Sequence, residues 1–401
     1  MVLDGKCIYK NLLLITLLFN SLYLASQDLY FKKLDPKYGY EEYGHSIYKS
    51  DSGDIYLVKA MAGQTSFVQK IYKISASGEV KDSVQISNGF LNTNDIIFDD
   101  QNLIVVGSEK SITDTIRIRK YDRNLNLLDS VALIEQIREF RSLYIHSTIE
   151  YNGKIVIAGT LRDKAVEDSI DVRGFLLFLN KDLTIDTIYP LVEPYRTQKL
   201  YTVDKSIDGN LALISFAHTQ DNEQICCYYK VDKNHNLLVK KSILYPLGGG
   251  NKFLKGLCLE NGGCISIVNR RPSNTSLEFD YNDALQYFEN DGELDAVNSE
   301  GSIGSYRYLY NLSEVDNSSV IITGSYYGKW VPNFKDEERY WPLITKCDAT
   351  GKTLWQRVFV NYSGSKKIYG ESYSGAVGLD DGKITVTGRG SAPRYVNETA
   401  E

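Results

Sequence analysis

The chain has 401 residues, with 45 Lys and Arg against 51 Asp and Glu and a formal net charge of −6. That mildly acidic balance, with no basic tract or basic–aromatic stripe, excludes nucleic acid as a partner.

The first 26 residues read as a targeting segment. Lys6 and Lys10 form a thin positive region, Asn11 to Leu24 is largely apolar, and Ala25-Ser26 supplies small residues before Gln27. The apolar run is shorter than the ~20 residues of a membrane span, so a cleaved signal peptide over 1–26 is expected rather than an anchor. Cys7 precedes the run, where a lipid-attachment cysteine would have to follow it. The remainder, 27–401, is expected as one domain with no membrane span. Its expected location is secreted, periplasmic or at the cell surface.

Seven copies of a turn followed by a β-rich apolar run then recur, roughly 50 to 60 residues apart. The runs are Asp54–Val58, Asn102–Val106, Lys154–Ala158, Asn210–Ile214, Cys264–Val268, Ser319–Thr323 and Lys383–Thr387. Each is preceded by a first strand and, in most copies, a tight turn such as Asp51-Ser52-Gly53, Tyr151-Asn152-Gly153 or Ile207-Asp208-Gly209. Glycine with Asp or Asn supplies the positive φ that hairpins need. A third strand, a second turn (Ser75–Gly78, Asp122–Asn124, Asn180–Asp182, Asp232–Asn234, Asn290–Gly292, Asp348–Gly351) and a fourth strand complete each copy. The fold class is therefore all-β, a seven-bladed β-propeller of four-stranded antiparallel blades. Only six second turns serve seven second strands. The deficit is expected to be met by Leu29–Lys33, closing the ring against the last copy and removing two sheet edges. Helical spacing occurs only at Ala132 to Phe140, read as a short helix.

Five cysteines follow the leader. Cys226 and Cys227 are neighbours on a strand and must point to opposite faces. Cys258 and Cys264 flank Leu259–Gly263; a three-residue loop would oppose them, and a two-residue turn would put them on different faces. They are expected as small buried hydrophobes rather than as a disulfide.

The strings Tyr43-Gly44-His45-Ser46-Ile47 and Asp51–Leu57, and the segment Trp341 to Trp355, resemble the repeat of secreted Bacteroidetes-type β-propellers. Lys346-Cys347-Asp348-Ala349-Thr350-Gly351-Lys352-Thr353-Leu354-Trp355 is also similar to the tryptophan-docking repeat of quinoprotein dehydrogenases, one residue shorter between Asp348 and Gly351. The resemblance implies the fold, secretion and the cell surface, and says nothing of activity. Asp followed by Ser or Thr and an aliphatic residue, as at Asp82-Ser83-Val84, Asp129-Ser130-Val131 and Asp186-Thr187-Ile188, resembles the O-glycosylation acceptor of that phylum. The same pattern also fits a turn giving way to a strand.

Signals for chemistry are sparse. Four histidines (His45, His146, His218, His235) are scattered, with His45 and His146 at similar places near the start of a first strand, where they could face the central channel. As a pair they could bind a metal, but a polar strand role is the simpler reading. HExxH, Gly-x-Ser-x-Gly and phosphate loops are absent from the sequence. Glu41-Glu42, Asp99-Asp100 and Asp380-Asp381 lie in or beside turns, where they hydrogen-bond locally. No catalytic residue, metal ligand or cofactor is assigned.

Strand parity gives the positional argument. Short turns fall on one side of the ring, and variable loops on the other, where binding usually resides. The longest loops are expected at Leu161–Arg173, Asn269–Ala284 and Ser325–Trp341. The last holds Tyr326, Tyr327, Trp330, Phe334, Tyr340 and Trp341 beside Lys329, Lys335 and Arg339. Such aromatics suit carbohydrate or protein contact, or fold back to cap the blade. The ligand-binding candidates are Tyr327, Trp330, Phe334 and Trp341, with Arg270 and Arg271 for an anionic group. An aromatic before each first strand (Tyr43, Tyr144, Tyr201, Phe253, Tyr308, Tyr369) is expected to pack between blades. The function expected is binding of a protein or glycan without catalysis. The alternative is an extracellular hydrolase or lyase with its site over the channel.

Overall fold

The computed structural model describes residues 41–62, 67–87, 91–99, 101–109, 115–133, 140–163, 172–191, 195–221, 223–244, 252–259, 262–270, 282–298, 306–316, 319–328, 339–358, 372–378 and 384–390, all within the compact unit Gly39–Glu401. The expected leader over 1–26, Leu29–Lys33 and most of the expected helix lie outside the described residues. Ala132 ends one strand and Phe140 opens the next.

Six antiparallel four-stranded meanders and one hairpin follow in chain order. They are β1 (Glu41–Lys49), β2 (Ile55–Ala62), β3 (Phe67–Ile74) and β4 (Val80–Ser87); then β5 (Leu91–Asp99), β6 (Asn102–Glu109), β7 (Thr115–Tyr121) and β8 (Leu127–Ala132). The third has β9 (Phe140–Tyr151), β10 (Lys154–Asp163), β11 (Val172–Leu179) and β12 (Ile185–Pro190); the fourth β13 (Thr197–Lys205), β14 (Leu211–His218), β15 (Gln224–Val231) and β16 (Leu237–Leu244). The fifth has β17 (Lys252–Cys258), β18 (Cys264–Arg270), β19 (Asn282–Phe288) and β20 (Leu294–Asn298); the sixth β21 (Tyr306–Asp316), β22 (Ser319–Gly328), β23 (Arg339–Asp348) and β24 (Thr353–Val358). The hairpin is β25 (Ser372–Gly378) and β26 (Ile384–Gly390). This is an all-β propeller fold built from four-stranded antiparallel sheets.

Hydrogen bonding groups these strands into four sheets rather than seven separate ones. Single parallel pairs, Val172↔Thr197 and Asn282↔Arg307, fuse neighbouring meanders. The hairpin joins the first meander through Glu42↔Gly390 and Tyr43↔Arg389. Among the described residues the N-terminal strand that meets β26 is β1; the expected pairing of Leu29–Lys33 with the last copy falls outside them.

Continuous apolar runs form the second strands because both of their faces are covered. Side chains alternate along a strand, so successive residues enter different interfaces. In β6, Leu103 and Val105 pack with Tyr56 and Val58 of β2, while Ile104 and Val106 pack with Ile155 and Ile157 of β10. In β14, Leu211 and Leu213 join Val156 and Phe178, while Ala212 and Ile214 join Cys264 and Phe288. Leu259 and Ile265 meet Leu309 and Val320 at the next interface, and Ile321 and Ile344 meet Ala376 at the last described one. The core is therefore a series of slabs, each shared by two consecutive meanders. Cys226 and Cys227 divide between two slabs, as their adjacency requires.

Cys258 and Cys264 correct the expectation of unpaired thiols. They are directly opposed, 4.0 Å apart at Cα, and joined as a disulfide. The turn closes through Gly262 N to Leu259 O and Leu259 N to Gly263 O, which leaves the cysteines as the next cross-strand pair.

At the short-turn end, one staple recurs. Lys73 reaches Asp54 at 3.3 Å and donates to the Arg123 carbonyl in the next meander's turn at 2.9 Å; the Tyr56 hydroxyl bonds the same carbonyl. Lys120 bridges Asp99 and the Lys181 carbonyl in the same way, and Lys230 bridges Asp208 and Asn290. In β11 the equivalent residue is Phe178, whose ring instead lies tilted against His235 of the next meander's turn, centroids 4.2 Å apart. His235 is therefore a packing residue. It shares positive φ with Leu125 and Leu183, which are buried at the two preceding interfaces.

Lys230→Met should destabilise the protein by about 1–3 kcal/mol, the cost of removing a buried charged hydrogen-bonding partner, read from urea unfolding. Gly159→Ala should cost about as much through overpacking. A Cβ there would collide with the Tyr144 carbonyl and lie 2.7 Å from the Phe175 ring, so an unchanged melting temperature would refute this packing.

Candidate functional site

The β1–β2 and β3–β4 type turns share one end of the meanders, and their polar groups are satisfied locally. Asp122 Oδ1 accepts from the amides of Asn124 and Asn126, each at 2.8 Å. Asp232 repeats this with Asn234 and Asn236, and Asp348 with Thr350 and Lys352. Asp99 accepts from Asn102 in the same spirit. These carboxylates build turns, as their sequence context suggested. Ser83 and Ser130 of the Asp-Ser pairs lie on β4 and β8, where each amide bonds the preceding aspartate at 2.7 Å.

The opposite end carries the second-to-third connections. Their strands run further than the sequence suggested, because aromatic and β-branched residues pair across the hairpin. Tyr327 and Trp341 lie within β22 and β23, with Tyr326↔Trp341 and Tyr327↔Tyr340 as register partners. Arg270 ends β18, opposite Asn282. Trp330, Phe334 and Arg271 lie outside the described residues.

Each first strand lines the inner edge of its meander, and each carries a one-residue bulge at the same place. The unpaired residues fall at His45, Asn94, His146, Tyr201, Leu254, Tyr310 and Ser374. His45 and His146 are thus equivalent positions, as the sequence implied. Glycines 107, 159, 324 and 388 sit opposite or beside the bulge in four second strands. A bulge re-aims side chains and sharpens local twist.

Next to the bulges lie polar groups that sequence reading passed over. Asp95 Oδ2 accepts from the Thr148 amide at 2.9 Å, Ser147 donates to the Val203 carbonyl at 3.1 Å, and Asp204 Oδ2 accepts from the Cys258 amide at 2.8 Å. Each bond links one inner strand to the next. Burial pushes the Asp95 carboxyl up, opposed by the charge of Lys255. Burial likewise pushes Asp204 up to about 6, against its two amide bonds and Lys255. The run of glycines after the second-strand apolar residues was the available signal for the bulges. No sequence pattern marked the aspartates.

His146 is enclosed. Its Nε2 lies 3.0 Å from Thr160 Oγ1 and its ring lies tilted against Tyr201, centroids 4.7 Å apart. Burial, and then the charge of Lys199, lower its pKa to about 4, so the imidazole is neutral at neutral pH. His218 bonds Thr197 through Nδ1 at 2.9 Å. Among the described residues no group of three His, Cys, Asp or Glu is placed to hold a metal, and no helix is long and apolar enough to cross a membrane. Tyr144 departs from its expected packing role, being 54% exposed.

No family model matches the chain, and no curated protein matches it. Among solved structures, a quinoprotein alcohol dehydrogenase-like protein from Bacteroides thetaiotaomicron is similar at 15% identity, over 82% of this chain and 68% of that one, with a TM-score of 0.44. An α-L-arabinanase of Penicillium chrysogenum is similar at 12% identity over 77% and 93%, TM-score 0.43. Sqt1 from Chaetomium thermophilum matches at 11% identity over 87% and 95%, TM-score 0.46.

Asp204 gives a pH signature. Its carboxyl binds a proton more tightly folded, at about 6, than at its ordinary value of 3.8. The stabilisation from that proton is complete below 3.8 and lost as pH rises through 6. Wild-type unfolding free energy should therefore fall between pH 4 and 6 more steeply than that of Asp204→Asn, measured by denaturant titration.

Proposed function

We propose that this is a secreted, non-enzymatic seven-bladed β-propeller that binds a protein or glycan through its loop-rich face. The blade count is supported by a cycle of neighbouring inner strands. β1 contacts β5, and the succession continues through β9, β13, β17, β21 and β25, which returns to β1. Residues 1–26 support export by signal peptide to the periplasm, cell surface or medium, and the repeat resemblance supports a Bacteroidetes-type origin.

The observation that carries the binding reading is the β22–β23 hairpin. Its described end is a run of aromatic register pairs, Tyr326↔Trp341 and Tyr327↔Tyr340, leading directly into residues 329–338 with Trp330 and Phe334. Aromatic residues supply large contact area at low entropic cost, which is what a rigid ring can present from a loop. The short-turn end, by contrast, uses its polar groups on itself.

The alternative, an extracellular hydrolase or lyase acting over the channel, has Asp204 on its side, since a carboxyl near 6 suits a general acid. Both oxygens of that group accept backbone amides, which favours the structural role.

Alanine at Trp330 and Trp341 should abolish retention of the protein on a glycan or cell-surface extract, with melting temperature as the folding control. Unchanged retention by the folded double variant would remove this hairpin from the binding face.

A further inference from the structure

We infer that the concave inner side of the first strands, between Asp95, Asp204 and Lys255, is a binding site for a neutral polyhydroxylated ligand, a single sugar unit or a polyol. It goes beyond the binding reading above, which concerns the β22–β23 hairpin, and rests on it only in taking a glycan as the ligand. Four first strands are knit side by side. Asp95 of β5 holds the Thr148 amide of β9, Ser147 of β9 holds the Val203 carbonyl of β13, and Asp204 of β13 holds the Cys258 amide of β17. β9 and β13 therefore stand between β5 and β17. The charge of Lys255 on β17 nonetheless acts on Asp95 as well as on Asp204, and Asp95 acts on Asp204. Such coupling fades beyond about 10 Å in salt, so the row curves, with the three charged heads on its concave side. All three side chains are half-buried, although burial dominates the titration of both carboxyls. Groups that are shielded and still touch solvent line an enclosure.

Ser46, Asp95, Ser147, Thr202, Lys255 and Asn311 directly follow the bulge in six first strands, and all are polar. Asp95 and Ser147 are used in tying strands together. The heads of three consecutive members are not. Lys255 has no hydrogen bond or ion pair among the described residues, and Thr202 Oγ1 and Asn311 Oδ1 are buried with no partner there. Thr202 is 2% exposed, and its Oγ1 lies 2.8 Å from where a Cβ on Gly256, the residue after Lys255, would stand. Charge balance then selects the ligand. A metal ion would meet the ammonium, and each carboxylate already accepts two backbone amides. An anion would meet two carboxylates. A hydroxyl suits both signs, because it donates to a carboxylate while accepting from an ammonium.

The test is calorimetric titration of the full chain with galactose, glucose, mannose and myo-inositol, and with galacturonate and calcium chloride as charged comparators. At least one neutral probe should bind, and more tightly than either comparator. Lys255→Met and Asp204→Asn should each weaken that binding about tenfold, the scale of one charged hydrogen bond, while Lys233→Met in an exposed turn should leave it intact. Melting temperature is the folding control, and asparagine at 204 keeps an oxygen for the Cys258 amide. Binding of no neutral probe, unchanged affinity in folded Lys255→Met, or tighter binding of galacturonate or calcium would overturn the site. The double alanine variant at Trp330 and Trp341 should bind the probes as the wild type does, so failure of the hairpin reading and failure of this site are told apart.

Discussion

A strand that is apolar on both faces cannot rest on a single partner. That constraint governs the molecule. Each second strand sends alternate residues into two slabs, as Leu103 and Ile104 do, so no meander can be complete without a neighbour on each side. A row of such units has two open ends, and pairing of β26 with β1 removes them. Ring closure thus follows from side-chain alternation rather than from any special closing sequence.

The bulge recurs at one level, with one residue left unpaired in each inner strand. Directly after it come Asp95 and Ser147, and a little further on Asp204, whose side chains tie inner strands together through backbone groups of the next unit.

Much of this was legible in the sequence, and the limits are physical. Seven apolar runs with Gly-Asp turns revealed the meanders because hairpin φ requirements are written in residue type. Turns that use Leu125, Leu183 and His235 at positive φ carry no such mark; the strain is tolerated because two of these side chains fill an interface and the third packs against Phe178. The disulfide depended on turn length, which Glu260-Asn261-Gly262 left ambiguous. The hairpin ends were underestimated because aromatics read equally well as loop or strand. The buried aspartates Asp95 and Asp204 were invisible because their partners include backbone amides of the next unit, and no side-chain pattern records those.

The seam where the hairpin meets the first meander is held by two register pairs, while the other joins between consecutive meanders, among the described residues, have one pair or none. In backbone pairing the clasp is therefore the best-tied seam of the hoop. What resists parting at every other join is the shared apolar slab, so the place where the hoop yields is set by the quality of a slab and not by the point where the chain closes.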